Sequence, residues 1–506
     1  MRSYKRGRGQ GNNNYSYSSI RPSNNKSKIV VLLVILLLAA FAFFFANTLF
    51  GGKIPFMPAT ITFDDSLTEG EVAFIKDTLG DRELLANITI KAADSTSAPT
   101  AADENTIIYD VFLPTTDFYD VRSNVSSGDE FTYTSIKDLK PANKVLSLDG
   151  NYYFDTFSRG AKFRTLTFES QNAGDIPSTI KKRLNLPTKD TTLSLMQTGV
   201  TALTRGMIDV LNQQDGDATY FSKNLKDFMS KADYTHMSNE VSFADNCSVT
   251  RTSTTLCSPT NMLDIIKDLD IDIIELTGNH NNDYGAEANL ATIDTYLGLG
   301  IETFGGGKDA ASAAKPYEIS SKNSKVTLLG YNYSTSTVAN GQGASEDYPG
   351  ANIYNEDTAK SDIEKAKQAG DFVIVDIQYF ECYSYPEDGG EYPQCDYPIT
   401  GQEEFFHHLI DLGADMVVGT QAHQPQTYEL YNGKPIYYGL GNLFFDQTYW
   451  PGTTRGYILT HYFHNGEYLQ TRITPHQYDD TYQTKLMDEE TSKWFLDRLA
   501  DARTAQ

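Results

Sequence analysis

The run Gly278-Asn279-His280-Asn281-Asn282-Asp283-Tyr284-Gly285 gathers carboxamide, imidazole and carboxylate groups between two glycines. These are the donors that hard-to-borderline divalent metals accept, and they are equally suited to gripping a phosphate. The competing reading is a capping turn in which Asn282 or Asp283 satisfies the helix that follows. Four other segments release polar groups in the same way: Ser238-Asn239-Glu240, Gln378-Tyr379-Phe380-Glu381, the run 419–424 with Gln421 and His423, and the glycine-rich run 437–446 with Asn442. Glu240, Asn279, His280 and His423 together make a metal-type donor set.

The elements before these exits must place them. Residues 271–276 form an apolar strand that stops at the first exit, and chemistry at strand C-termini is the rule in open α/β sheets. From 192 onward strand and helix alternate: strands at 193–200, 235–243, 326–331, 372–378 and 415–418, and helices at 202–211, 259–269, 290–297 and 402–412. Two late strands at 456–463 and 468–475 and a helix near the C-terminus end the chain. This rhythm predicts a layered α/β domain over 192–480 followed by a C-terminal helix within 485–506. Residues 60–185 read as a small α/β or α+β domain, with a helix at 72–79, strands at 106–114, 144–154 and 161–168, and a polar linker at 171–190.

Residues 29–50 carry no charge and are long enough to cross a bilayer as a helix. The preceding 28 residues hold seven basic side chains and no acid, a composition that predicts a disordered tail kept cytoplasmic, with the bulk of the chain extracytoplasmic. The expectation is a single-pass cell-membrane protein; a cleaved signal peptide, with small residues at Ala40 and Ala42, is the alternative. Outside that tail 35 basic face 66 acidic side chains, a balance of −31 that repels nucleic acid at long range. Cys247, Cys257, Cys382 and Cys395 would then lie where thiols oxidise, and 247 to 257 with 382 to 395 is the simplest disulfide pairing; a four-cysteine zinc site lacks any C-x-x-C pair.

Other chemistry is weaker. His407 and His408 sit mid-helix and read as packing or solvated groups, His461, His464 and His476 as structural, and His236 stays ambiguous. Gly305-Gly306-Gly307-Lys308-Asp309 lacks the P-loop spacing and reads as a turn into a helix. No G-x-S-x-G occurs, which gives no support to an α/β-hydrolase. The tyrosine-rich loop 379–397, stapled by Cys382 and Cys395, reads as a lid beside the cleft or as a surface excursion.

Between about 193 and 446 the motifs resemble the CapA family of capsule and poly-gamma-glutamate synthesis proteins. Gly199-Val200 with Arg205, Asn239-Glu240, Asn279-His280 with Asp283 and Gly285, and the stretch GADMVVGTQAHQPQTYELYNGKPIYYGLGNLFFD carry the resemblance in order. That family is similar to calcineurin-like metallophosphoesterases, which implies a four-layer αββα sandwich and, in active members, a two-metal site. Three positions depart: Val200 replaces the bridging aspartate, and Gln378 and Gln421 replace histidines. A metal pair needs a bridging anion and several ligands per ion. The resemblance therefore leaves two arrangements open: one divalent metal (Mn, Fe or Zn) on Glu240, Asn279 and His423, or a metal-free cleft using Arg205, Asn279, His280 and Asn442. It implies His280, Arg205 and Asp283 in catalysis, with Arg205 as anion clamp, and Asn442, Gln421, Gln378 and Glu381 against substrate. The implied partner is an anionic envelope polymer or its synthesis machinery. The readings that compete are metal-assisted hydrolysis or transfer, a non-catalytic polymer-binding or assembly subunit, and a generic phosphoesterase.

Overall fold

A computed structural model describes residues 59–100, 103–170, 172–333, 341–379 and 401–504. Two sheets lie face to face in the larger part of the chain. The first runs, in order, Glu302–Phe304, Ile273–Glu275, Tyr234–Asn239, Thr192–Gln197, Arg455–His464, Glu467–Gln477 and Lys485–Leu486. Its first four strands are parallel and its last three antiparallel. The second runs Tyr317–Ser321, Ser324–Asn332, Phe372–Gln378, Met416–Thr420, Lys434–Tyr437 and Tyr428–Tyr431, parallel at its centre and antiparallel at both edges.

Both sheets are covered on both faces, which is why Thr192–Gln197 and Met416–Thr420 are buried at every position and read as continuous runs. Leu193, Leu195 and Ile273 of the first sheet meet Leu328, Ile374 and Met416 of the second in one core. Outside the first sheet, Met207, Leu211, Ile265, Ile266 and Ile293 project from the helices Gly206–Gln213, Leu263–Asp268 and Ala286–Gly298. Outside the second, Ile363, Phe406 and Leu409 of Glu356–Gln368 and Gln402–Asp411 cover Val373, Val375 and Ile377. The result is helix, sheet, sheet, helix. Each such fully buried aliphatic side chain contributes about 1.5–3 kcal/mol, so Leu328→Ala in the inter-sheet core would cost about 2–5 kcal/mol.

The segment ahead of this sandwich forms its own six-stranded sheet. Ile61–Phe63, Ile88–Ser95, Lys162–Glu169, Thr106–Asp117 and Thr132–Ser135 lie in that order, with Asn143–Val145 also on Thr106–Asp117. A capping box at Thr68 and Glu71 starts the helix Glu69–Leu79, whose Ile75 and Leu79 pack on Ile88 and Ile90. Two expectations need correction here. Residues 171–190 contain the helix Ile176–Leu184, with Ile176 and Ile180 in this core, where a linker was expected. The strand expected at 144–154 breaks into Asn143–Val145, Ser147–Leu148 and a helical turn Tyr153–Thr156, because Asp149 and Gly150 both adopt positive φ.

This domain docks on the hairpin Arg455–His464 and Glu467–Gln477. Phe154 stacks on Tyr462 at 4.5 Å, Gln470 Oε1 accepts from the Val145 amide at 3.0 Å, and Arg472 pairs with Asp155. The C-terminal helix Glu489–Thr504 packs Phe495, Leu496 and Leu499 into the inter-sheet core. Among the described residues no helix is long and apolar enough to cross a membrane. The expected cytoplasmic tail and membrane helix, residues 1–28 and 29–50, lie outside them, as do Glu381, Cys382 and Cys395. Cys247 and Cys257 form a disulfide with Cα atoms 5.6 Å apart.

Candidate functional site

The strand exits singled out by sequence converge in the fold. Val200–Thr201 pairs on one side with Ser238 and Asn239 and on the other with Asn442–Phe444. The Glu240 amide donates to the Thr201 carbonyl at 3.1 Å, and Val241 bridges His280. Gly278 lies against Glu240: a Cβ there would sit 2.5 Å from Glu240 Cβ, so this glycine is set by space as well as by the turn. Across the sandwich, Gln378 Nε2 donates to Asn279 Oδ1 at 3.0 Å, and Thr277 Oγ1 lies 3.4 Å from Thr420 Oγ1. His423 closes the ring, its Nδ1 2.7 Å from Asn442 Oδ1.

The hydrogen bonds fix several protonation sites. Asn442 Nδ2 donates to the Thr453 carbonyl at 3.0 Å, so Asn442 Oδ1 accepts from His423 Nδ1–H and the basic nitrogen of His423 is Nε2. A carboxamide behind the imidazole is the usual way to orient a histidine ligand. His280 is held likewise: Nδ1 donates to Asp283 Oδ2 at 2.7 Å, and Asp283 also accepts from the Leu256 amide and from Gln342 Nε2, both at 2.8 Å. His280 is partly exposed, and its Asp283 partner is nearly buried. This is the geometry of an oriented acid or base.

Arg205 takes a different place from the one the resemblance implies. Its guanidinium binds Asp446 Oδ1 through Nε at 3.0 Å and a terminal nitrogen at 2.6 Å, and lies 4.7 Å over the Phe445 ring. The charge already has its carboxylate. Gln378 is held from both ends, by Asn279 and by Asn332 Nδ2 at 2.7 Å. Gln421 adopts φ +80°, and its buried Oε1 has no hydrogen-bond partner.

Buried Glu240 Oε1 and Asn239 Oδ1 also lack partners. Asn239 faces the helix layer, where its Nδ2 donates to Tyr296 Oη at 2.9 Å, whereas Glu240 and Gln421 stand at the converging exits and offer acceptors that a cation or a donor would satisfy. Among the described residues, however, the group of three His, Cys, Asp or Glu ligand atoms lying within 4.8 Å of one another is Glu403, His407 and Glu429, on the outer helix and edge strand. There His407 Nε2 is 2.5 Å from Glu429 Oε1 and its ring stacks on Tyr431 at 3.7 Å, a packing role as expected. Asp309 likewise caps the helix Ala310–Ala313.

Sequence reasoning missed Asn332, Gln342, Glu275 and Asp376. Asn332 ends its strand with a carboxamide just as the other exits do, and Nδ2 also reaches the Thr277 carbonyl at 2.7 Å. Glu275 and Asp376 are carboxyls inside apolar runs. Burial, aided by Glu240, pushes Glu275 up to about 7, and its Oε1 accepts from the Thr277 amide at 2.9 Å. Burial and then Glu275 raise Asp376 well above the carboxylate range.

With the geometry established, the relatives are informative. The profile of the bacterial capsule synthesis protein family PGA_cap matches residues 194–447, half of the chain. The chain belongs to this family. The chain is similar to a capsule biosynthesis protein CapA of Bacillus anthracis, 24% identical over 50% of this chain and 60% of that protein. It is also similar to the PGA biosynthesis protein CapA of Bacillus subtilis (strain 168), 24% identical over 56% of this chain and 72% of the relative. A probable polyglutamine synthesis accessory protein of Mycobacterium tuberculosis is 28% identical over 34% of this chain and 44% of its own length. The chain thus spans well under the full length of the relatives it matches. All the strand exits from Asn239 to Asp446 lie inside the PGA_cap region.

Proposed function

We propose that this PGA_cap protein acts on an anionic envelope polymer of the poly-gamma-glutamate class, in its synthesis, export or attachment, through the cleft where the strand exits meet. The observation that carries the reading is the convergence of strand exits that hold two partnerless buried acceptors, Glu240 Oε1 and Gln421 Oε1, and a histidine, His423, oriented through Nδ1 by Asn442. Such a set fits one divalent cation, Mn, Fe or Zn, held by Glu240 and His423 with the carboxamide oxygen of Gln421; Asn279 Oδ1 already accepts from Gln378 Nε2. When bound, the ion would polarise a carbonyl or phosphoryl oxygen. The chain's own residues do the rest. Asp283 keeps the His280 Nδ1 proton in place, and His280 Nε2 exchanges a proton with the leaving or attacking group. Asn442 orients His423 through its Nδ1. A metal pair does not fit: Val200 offers no bridging oxygen, and Gln378 is occupied by Asn279 and Asn332. The reaction class is hydrolysis or transfer at an amide or phosphoester, on a chain anchored by residues 29–50 with its cleft outside the cell membrane.

Val200, Gln378 and Gln421 favour a second reading, a non-catalytic polymer-binding or assembly subunit on the same fold. Metal analysis of the purified full chain, with length analysis of poly-gamma-glutamate incubated with it, separates the two. About one equivalent of metal, lost in His423→Ala together with any polymer shortening, supports the enzyme. Less than an equivalent, with polymer retained on the protein and unchanged in length, supports the binding subunit. Turnover of simple phosphodiesters at comparable rates, with no effect on polymer, would point to a generic phosphoesterase.

A further inference from the structure

The seam between the first domain and the sandwich holds a half-open cavity of about 250 Å³. Its walls come from the 118–152 segment, the strand Glu467–Gln477 and the chain around Met487. They are mainly apolar, with Phe118, Val145, Ile473 and Met487, yet the charged groups within are Lys144 and Arg472. The acid on the wall, Glu489, is exposed and accepts from Asn124 Nδ2 at 3.3 Å.

The two cations are unequally matched. Arg472 reaches both Asp155 oxygens, at 3.1 and 3.2 Å, and lies 4.3 Å over the Tyr152 ring. Lys144 Nζ donates to the Asp120 backbone carbonyl at 2.5 Å, while the Asp120 carboxylate is taken by Arg122 at 2.6 Å. Enclosure by protein pushes the Lys144 ammonium down to about 8, with the Asp120 charge opposing and Arg122 adding to the shift. An ammonium in such surroundings is costly until an anion meets it. In a chain of net charge −24, this seam keeps one unmatched positive charge beside an apolar chamber.

We propose that the seam is a second binding site, taking a small monoanionic carboxylate of about amino-acid size, with its carboxylate on Lys144 and its apolar body against Phe118, Val145 and Met487. A phosphate dianion fits less well: one unmatched cation would leave a second charge among apolar walls. The site is wired to the sandwich interior. Tyr468 and Thr471 line the cavity, and their hydroxyls lie 2.7 Å apart; Thr471 Oγ1 lies 2.7 Å from His461 Nδ1, and His461 Nε2 lies 2.9 Å from Gln197 Oε1. The inference stands apart from the reading of the strand-exit cleft.

Titration calorimetry of the full chain in detergent with butanoate, benzoate and inorganic phosphate tests it. The expected result is saturable one-to-one binding of a carboxylate that weakens about tenfold or more in Lys144→Met and survives in Lys144→Arg. Melting of both variants near the parent temperature shows that the fold is retained. Affinity should fall as pH rises past the range in which the ammonium loses its proton. Absence of saturable carboxylate binding, or equal binding by Lys144→Met, would overturn the proposal. Phosphate binding with the same dependence on Lys144 would overturn the carboxylate assignment.

Discussion

The strand-exit ring and the hydrogen-bonded chain that runs through Gln197 between the sheets are built from the same residue types and treat them differently. In the interior, Gln197 Nε2 donates to both Asp376 oxygens at 3.0 Å, which fixes Gln197 Oε1 as acceptor from His461 Nε2–H and leaves His461 Nδ1 to accept from Thr471. Burial pushes His461 down to about 3, in keeping with a neutral ring, and does the same to His236, whose Nε2 is 3.5 Å from Asp376. The chain has a direction and ends on a carboxyl that favours its protonated form. At the ring, by contrast, Glu240 and Gln421 each keep a buried acceptor without a donor. The interior also leaves Glu275 Oε2 and both His236 nitrogens without hydrogen-bond partners, so position decides: a satisfied network specifies structure, and an unmet acceptor where strand ends converge offers a place for a cation or a donor.

That contrast can be broken or sharpened by experiment. Asp376→Ala should be the most damaging change, lowering unfolding free energy by about 3 kcal/mol because it opens a void and strands the Gln197 amide; urea denaturation measures it. Next comes the pH dependence set by Glu275. Its folded pKa of about 7 lies above the ordinary 4.5, so its contribution is fully present below about 4.5 and fades as pH rises through 7. The loss amounts to about 3 kcal/mol, and Glu275→Gln should flatten that part of the stability profile. His423→Ala should weaken metal retention about 10–100-fold, read by competition with a chelator. Asp283→Asn should lower polymer processing by about tenfold, with metal content unchanged, because His280 loses the carboxylate that favours its imidazolium. Glu240→Gln should change stability least, by under about 1 kcal/mol, while abolishing metal uptake. A large loss of stability in Glu240→Gln would place Glu240 in the structural class and remove the contrast.

The alternation of strands and helices was legible because central strands covered on both faces read as mainly apolar runs, as 193–200 and 372–378 do despite Gln197 and Asp376. The exits were legible for the same reason, since polar groups after such runs have few other places to go. Residues 171–190 misled because Lys181, Lys182 and Arg183 mask an amphipathic helix held by two isoleucines, Ile176 and Ile180. Asn332 was not legible because its strand ends on a lone carboxamide, with no histidine or acid in the residues that immediately follow it. Glu275 and Asp376 were hidden by their apolar neighbours, and only the pairing of two sheets brings Asp376 against Gln197, 179 residues away. Arg205 illustrates the opposite failure: the partner that neutralises it, Asp446, is 241 positions distant.

The Cys247–Cys257 bond sits one residue from the amide that holds Asp283, and Asp283 in turn aims His280. Assembly of the proposed proton-transfer arm would therefore be sensitive to oxidation. A newly made chain with free thiols contains every side chain of the ring, with Leu256 held by packing on Ala202, Val241 and Phe445 and without the adjoining covalent staple. We expect the His280 imidazole resonance to broaden on reduction of this bond and to sharpen on reoxidation, while that of His461 is unmoved. The cleft would then be finished where thiols oxidise, after the chain has left its place of synthesis.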